Sequence, residues 1–276
     1  MSWFEEGIHP EIRQSLRRDQ VLFEGKTDFQ HVEIFANDLL GRVLVLDDAV
    51  QITEHDEEIY SESIAHVPLL SHPNPKSVLI IGAGDGTVLR EVLKHRSVQE
   101  VTMVELDGAL VRVCREHLST LLDGAYDDPR LNLVIGDGAE YLVSGKKFYD
   151  TIIIDSTDPD DNSTSLFTDN FYKSCKARLA EGGLMVAQAG CPSYQPSILT
   201  HMRSRMLSLF GFSGFYHAAI PTYVGGLHAF AWASDQIDLA QLAEQADPGF
   251  RGAEFSTRYY SARNHKAAFF LEPASE

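Results

Sequence analysis

Positive charge is scarce in this 276-residue chain: 23 lysines and arginines stand against 40 aspartates and glutamates, a formal net charge of −17. A field of that sign repels phosphates and anionic lipid surfaces and draws in cations, which argues against nucleic acid as a partner. Cysteine is scarcer still. Cys114, Cys175 and Cys191 lie far apart with no C-x-x-C spacing, so neither a disulfide framework nor a zinc knuckle is indicated. No apolar run reaches the ~18 residues that a membrane helix needs. The opening MSWFEEGIHP has neither a basic n-region nor an apolar stretch, so no signal peptide is expected. These absences leave a soluble, cytoplasmic protein as the expectation. Its 44% hydrophobic content is ample for one large domain, or one domain with an extension.

What is present divides the chain in two. Between residues 19 and 53, DFQHVEIFA and GRVLVLDDAVQIT alternate with period two and are broken by Asn37-Asp38 and Asp47-Asp48, a pattern that predicts a small antiparallel sheet. HDEEIYSESIAHVPLLS then places Ile59, Ile64 and Val67 on one helical face. That helix is expected to weaken at Val67, because Pro68 disfavours helical geometry in the residue before it, with SHPNPK as a linker. From Lys76 onward strands alternate with helices, the mark of a parallel sheet covered on both faces. Strands are predicted at 77–82, 100–105, 131–135, 150–155 and 183–189, and helices at 86–95, 107–118, 168–180 and 195–209. GFYHAAIPTYVGGLHAFAWAS and KAAFFLE read as closing antiparallel strands. The domain expectation is therefore 1–55 for a β-strand domain and 56–276 for an α/β domain.

The chemistry gathers at strand ends. VLIIGAGDGTVLREVL is a buried strand, a glycine turn and a helix start, in which Gly82, Gly84 and Gly86 permit a tight turn and close approach of a ligand. Glu105 ends the next strand, 21 positions after Gly84, where a carboxylate can bind both hydroxyls of a ribose. Asp85 inside the glycine loop would repel a pyrophosphate, so an adenosine attached to a cation, such as S-adenosylmethionine or a relative, fits better than a dinucleotide. Asp137, in GDGAE, is placed either to meet an adenine amino group or to form a plain Asp-Gly turn. Asp155 is fourth in this row, and four aspartates crowd Asp155–Asp161. Carboxylates that close repel one another unless a cation sits among them. His55, His66 and His72 lack compact ligand spacing and are read as structural or exposed.

Taken in order, VLIIGAGDGTVLREVLKH, VTMVELD, YDDPRLNLVIGDG, IIIDSTDP, SLFTDNFY and AAIPTYVGG resemble the polyamine aminopropyltransferases, most closely bacterial spermidine synthases, and GRVLVLDDAVQITEHDEEIY resembles that family's amino-terminal β-domain. The resemblance spans about residues 20 to 270. It implies an α/β fold, a Rossmann-like, methyltransferase-type doubly wound sheet preceded by a small amino-terminal antiparallel β-domain. It also implies a transferase that moves the aminopropyl group of decarboxylated S-adenosylmethionine to putrescine, giving spermidine and methylthioadenosine. The donor is a co-substrate, so neither a cofactor nor a metal is implied. The partners would be small cationic substrates and a second copy of the chain in a homodimer.

The same resemblance assigns roles. Asp155 would be the general base, and Asp158 would anchor an acceptor amine. Tyr223 would wall the acceptor channel, with Gln51 beside it. Gln30, Tyr60, Gly82 and Gly84 would line the donor site. Asp85 would bind the donor's ammonium, Glu105 its ribose, and Asp137 with Gly138 its adenine. Three departures stand out. Ala83 replaces the middle glycine of the family's loop, Ser61 replaces a histidine, and the Asp160–Ser165 segment lacks the usual Gly-Pro and gains Asp160 and Asp161. The loop change leaves another acceptor open, such as agmatine, cadaverine or a longer polyamine. A methyltransferase using intact S-adenosylmethionine and a non-catalytic polyamine-binding protein are the more distant alternatives.

Overall fold

The computed structural model of the protein describes residues 2–7, 11–157, 164–245 and 255–270. Two short strands, β1 (Ser2–Glu6) and β2 (Gln14–Arg18), pair antiparallel with each other. They precede the four-stranded sheet expected for 19–53, which is built from β3 (Gln20–Lys26), β4 (His31–Asn37), β5 (Gly41–Leu46) and β6 (Ala49–Thr53) in that order. The alternation in these strands serves two cores. Val32, Ile34, Leu44, Leu46 and Ile52 face inward, whereas Phe35, Val43, Val45 and Val50 join Phe4 on the other face. The β1–β2 ribbon was not legible in the sequence. Its strands are short and mostly polar, and Phe4 and Glu6, both buried, mark its inner side.

α1 (Glu57–Ser71) follows, and it does not stop at Val67: Pro68 lies inside its last turn. Proline lacks the N–H that would close the bond to residue 64, yet the helix continues because it is buried on nearly every side. Tertiary packing there outweighs the local preference of the X-Pro pair. The chain then alternates through β7 (Ser77–Gly82), α2 (Thr87–Leu93), β8 (Glu100–Glu105), α3 (Gly108–His117), α4 (Ser119–Leu122), β9 (Leu131–Ile135), α5 (Gly138–Ser144), β10 (Tyr149–Asp155), α6 (Asp169–Arg178), β11 (Leu179–Gln188) and α7 (Pro196–Leu209). β12 (Phe212–Ala219) and β13 (Leu227–Ser234) form the closing antiparallel hairpin, and α8 (Leu239–Gln245) and α9 (Ala262–Ala268) follow.

KAAFFLE is a correction. Its first residues lie in α9 rather than in a strand, because Ser261 caps that helix by accepting the Asn264 N–H. A side-chain cap of this kind favours a helix start. The residues beyond 270 lie outside the described ones.

The main sheet runs β12-β13-β11-β10-β7-β8-β9. Its core is split over two faces. α1 and α2 cover one with Ile64, Val88 and Val92, and α6 and α7 cover the other with Phe171, Cys175 and Met202. α3 and α4 instead carry Leu110, Cys114, Leu118 and Leu121 against the amino-terminal sheet. Strand order reverses at β7, which has β10 on one side and β8 on the other. Ligands bind open α/β sheets outside the carboxyl ends of the strands at such a reversal. No helix among the described residues is long and apolar enough to cross a membrane.

Candidate active site

At the reversal, Asp155 at the end of β10 is the register partner of Gly82 at the end of β7. The Ala83 N–H donates to the Asp155 carbonyl at 2.9 Å, so the glycine loop leaves the sheet against the backbone of the predicted base. Gly82 is required there. Its φ is +83°, and a Cβ would sit 2.1 Å from the Asp155 carbonyl oxygen. Gly84 is required for a different reason, since a Cβ would meet the Glu105 carboxylate at 2.9 Å. Ala83 also has a left-handed φ, +62°, which strains a residue with a Cβ. The glycine at this place in the resembled motif therefore has a backbone reason.

These strand ends open on one cavity of about 440 Å³. It collects Gly82, Gly84 and Asp85 after β7, Glu105 after β8, Asp137 and Gly138 after β9, and Asp155 after β10. Gln30 and Gln51 come from the amino-terminal sheet, Tyr60 from α1 and Tyr223 from the β12–β13 connection. Every site residue expected from the sequence lines this cavity except Asp158, which lies outside the described residues, as do Asp160 and Asp161.

Several of these side chains already have partners. Asp137 caps α5 by accepting from the Ala139 and Glu140 N–H groups at 2.6 and 3.0 Å, so the turn reading of Asp137 describes it as well as the ligand reading does. Asp85 accepts from the Thr87 N–H at 2.8 Å and the Thr87 hydroxyl at 2.5 Å. The Tyr60 hydroxyl donates to Asp155 Oδ1 at 2.5 Å, and the Tyr223 hydroxyl donates to the Gln51 carbonyl at 2.7 Å.

Three carboxyls in the cavity are pushed up to about 7. Burial does this first at Asp155, followed by the charge of Asp85, while the Tyr60 hydroxyl pulls the other way and Glu105 adds to the rise. At Glu105 burial again leads, offset by the Asp107 N–H that it accepts at 2.8 Å. Glu6 is raised by burial against the Val50 N–H. The Tyr60 phenol is pushed well above its usual value, by burial and then by Asp155, so it remains a proton donor toward that carboxylate. Desolvation and mutual repulsion both favour the neutral form of acids buried this close together.

Some residues at this cavity escaped the sequence reading. Asp107 caps α3 and accepts from Gln30 Nε2 at 2.9 Å, which ties the turn before β4 to the start of α3. The D in VELDGAL, just ahead of a helical pattern, was the available signal. Glu6, on β1, accepts the Val50 N–H at 3.0 Å with one oxygen and leaves the other buried without a partner among the described residues. Nothing local marks it. Asp56 does not line the cavity but clamps its rim. It accepts from the Thr53 hydroxyl at 2.7 Å and from the Thr222 N–H and hydroxyl at 3.0 and 2.8 Å. It thereby fixes the start of α1, one turn from Tyr60, to the residue before Tyr223. His66 is buried: its ring sits 3.0 Å from Glu91 and 2.9 Å from the His95 ring, while nearby Glu62 accepts three N–H groups from Arg258, Tyr259 and Tyr260.

Comparison with known proteins agrees with this geometry. Residues 57–243 match the spermine/spermidine synthase domain, and residues 2–54 match the spermidine synthase tetramerisation domain. The chain is 45% identical over 272 residues to polyamine aminopropyltransferase 1 of Pseudomonas aeruginosa, covering 98% of this chain and 95% of that one. It is 46% identical over 269 residues to a polyamine aminopropyltransferase of Klebsiella pneumoniae, covering 97% and 94%. Among solved structures, a spermidine synthase in complex with the transition-state analogue AdoDATO superposes with a TM-score of 0.93 at 37% identity, covering 98% of this chain and 92% of that one. The spermidine synthase of Thermotoga maritima gives 0.90 at 36%, covering 98% and 91%. On these grounds the chain belongs to the spermine/spermidine synthase family, the polyamine aminopropyltransferases.

Proposed function

We propose that the protein transfers the aminopropyl group of decarboxylated S-adenosylmethionine to putrescine, forming spermidine and methylthioadenosine, with Asp155 as the general base. The observation that carries this reading is the Asp155 carboxyl itself, raised to about 7 and held by Tyr60 at the reversal of the sheet. An alkylammonium has an ordinary pKa near ~10, so the attacking nitrogen arrives protonated and without a free electron pair. A base with a value near the working pH is well matched to removing that proton. Tyr60 occupies Oδ1, which leaves Oδ2 for the amine. The freed nitrogen pair attacks the methylene beside the sulfonium, the carbon–sulfur bond breaks, and its electrons neutralise the sulfur. A neutral thioether leaves without needing an acid.

The remaining roles follow from position. Glu105 is assigned the ribose hydroxyls, Asp85 the donor's ammonium, and Asp137 with Gly138 the adenine, while Gln30, Gly82 and Gly84 complete the donor side. Gln51 and Tyr223 wall the acceptor side, and Asp158 is assigned to an acceptor amine. An intact S-adenosylmethionine would bring a carboxylate toward Asp85 and be repelled. None of these steps requires a metal or a further cofactor. Residues 1–55 are read as the β-domain and 56–276 as the catalytic domain, working in the cytoplasm as a homodimer. The tetramerisation description of residues 2–54 supports self-association, and sedimentation velocity measures the copy number.

The test is incubation with decarboxylated or intact S-adenosylmethionine and a panel of putrescine, cadaverine, agmatine and spermidine, read by mass spectrometry. Spermidine and methylthioadenosine as the main products support the reading. Methylated amines, or no product at all, would end it.

A further inference from the structure

Asp56 opens α1 as Asp107 opens α3 and Asp137 opens α5, yet its side chain does not cap. Asp107 and Asp137 each accept two backbone N–H groups from the first turn of their helix. Asp56 holds the same N-cap position and makes no such bond among the described residues, although an aspartate there ordinarily satisfies an N–H of the first turn.

Its carboxylate is turned toward a distant part of the chain. It is only 3% exposed. It accepts the Thr53 hydroxyl at 2.7 Å and, across 166 residues of sequence, the Thr222 hydroxyl at 2.8 Å and the Thr222 N–H at 3.0 Å. Gln14 on β2 donates to the Thr222 carbonyl at 2.7 Å. Each polar group of Thr222 is therefore bonded to a side chain from another element.

Thr222 lies in the connection between β12 and β13. Pro221 and Gly225 are exposed there, Tyr223, Val224 and Gly226 are half-buried, and Thr222 alone is buried. A surface connection of this kind owes its position to few contacts, and here they converge on the residue before Tyr223. Tyr60 lies about one turn of α1 beyond Asp56. The Tyr60 and Tyr223 ring centroids are 6.0 Å apart. Asp56 thus joins the two elements that carry these rings, close to where the rings meet. Of the two, α1 is buried on nearly every side and keeps its place through packing. The connection is the part that depends on the bond.

We infer that Asp56 is a positioning residue for the amine: by anchoring Thr222 it sets Tyr223 opposite Tyr60, and its loss misplaces that wall while Asp155 and the donor half stay intact. This rests on the aminopropyl-transfer reading above. It goes beyond that reading by naming a residue that does not line the cavity and yet sets how tightly the cavity holds an amine.

The experiment measures kcat and KM for putrescine at saturating decarboxylated S-adenosylmethionine in D56A, D56N and T222V. Calorimetric binding of putrescine to methylthioadenosine-saturated protein runs alongside. D56A should raise the putrescine KM and dissociation constant by about 5- to 20-fold, the scale of one lost hydrogen bond to a charged group, with kcat within about twofold. Methylthioadenosine affinity should not change. D56N keeps the size and one acceptor oxygen and should recover most of the loss. T222V removes the hydroxyl, leaves the N–H bond to Asp56 in place, and should cost about 3-fold. A second arm repeats D56A in two backgrounds. In Tyr223→Ala no ring is left to place, so D56A should add less than about twofold; in Glu105→Gln its full effect should remain, because independent sites add and coupled ones do not.

An unchanged putrescine KM in D56A would overturn the inference, as would a loss confined to kcat. So would the same factor in Tyr223→Ala as in the wild type, which would reduce Asp56 to general support of the fold. Melting temperature reports whether each variant is folded; should D56A fail to fold, T222V carries both arms. If the wild type transfers nothing to any amine, the functional reading fails by itself, and the calorimetric constants still decide Asp56.

Discussion

Binding of a diamine should release protons, and the number can be worked from the cavity. Asp155 and Glu6 are both raised to about 7, so each carries half a proton at pH 7 in the free protein. Glu105, the third raised group, is assigned to the ribose of the methylthioadenosine already bound, and a dication entering the cavity favours the charged form of the other two. The two halves then leave, giving release of about 1 proton per putrescine at pH 7. The release should shrink toward pH 8, where both groups are mostly ionised already, and grow toward pH 6. The assay is titration calorimetry of putrescine into methylthioadenosine-saturated protein, in buffers of different ionisation enthalpy at each pH. The slope of apparent enthalpy against buffer enthalpy is the proton count.

Asp155→Asn and Glu6→Gln should each halve the value at pH 7, to about 0.5. The same groups set the sign of a stability effect. Their folded values lie above the ordinary 3.8 and 4.5, so the native state holds protons that the unfolded chain has already lost. The ligand-free protein therefore loses stability as pH rises from roughly 4 through 7, and saturating putrescine should give more of it back at pH 8 than at pH 5. A buffer-independent enthalpy at pH 7, or a release unaltered in Asp155→Asn, would refute the coupling of these cavity carboxyls to the bound amine.

Three further outcomes are expected. Asp155→Asn keeps the side chain's size but cannot take the amine proton, so turnover should fall by about 10²–10⁴ while methylthioadenosine binding, measured by calorimetry, changes little. Glu105→Gln should weaken any ribose-containing ligand by about 1–2 kcal/mol and leave putrescine affinity close to normal; the reverse pattern would mean the two substrates are placed the wrong way round. Ala83→Gly should stabilise the protein by about 0.5–1 kcal/mol in thermal or denaturant unfolding. The left-handed φ at Ala83 costs a residue with a Cβ roughly 1–2 kcal/mol, more than the extra unfolded-state freedom of glycine takes back.

The sequence by itself determined the five parallel strands from Ser77 to Gln188 and four of the helices up to Leu209, but not α4 or α5, and with the strands the row of acids after β7, β8, β9 and β10. These features are local. Hydrophobic periodicity and glycine turns are properties of short windows, and a parallel sheet must bring successive strand ends to one side. Local reasoning failed where contacts cross the chain. Pro68 was expected to weaken α1, but burial on nearly every side carried the helix through. KAAFFLE looked like a strand until the Ser261 cap turned its start into a helix.

The cavity wall of Tyr60, Tyr223 and Gln51 was decided only by tertiary structure. Tyr60 reaches Asp155 across 95 residues of sequence, Asp56 holds Thr222 across 166, and Tyr223 meets Gln51 across 172. Resemblance could nominate some of these residues, but no window of the sequence holds any of these pairs. Glu6 carried no local signal at all. It reached the cavity because β1 packs against the amino-terminal sheet, which buries its carboxylate at the cavity wall and leaves one oxygen without a partner among the described residues.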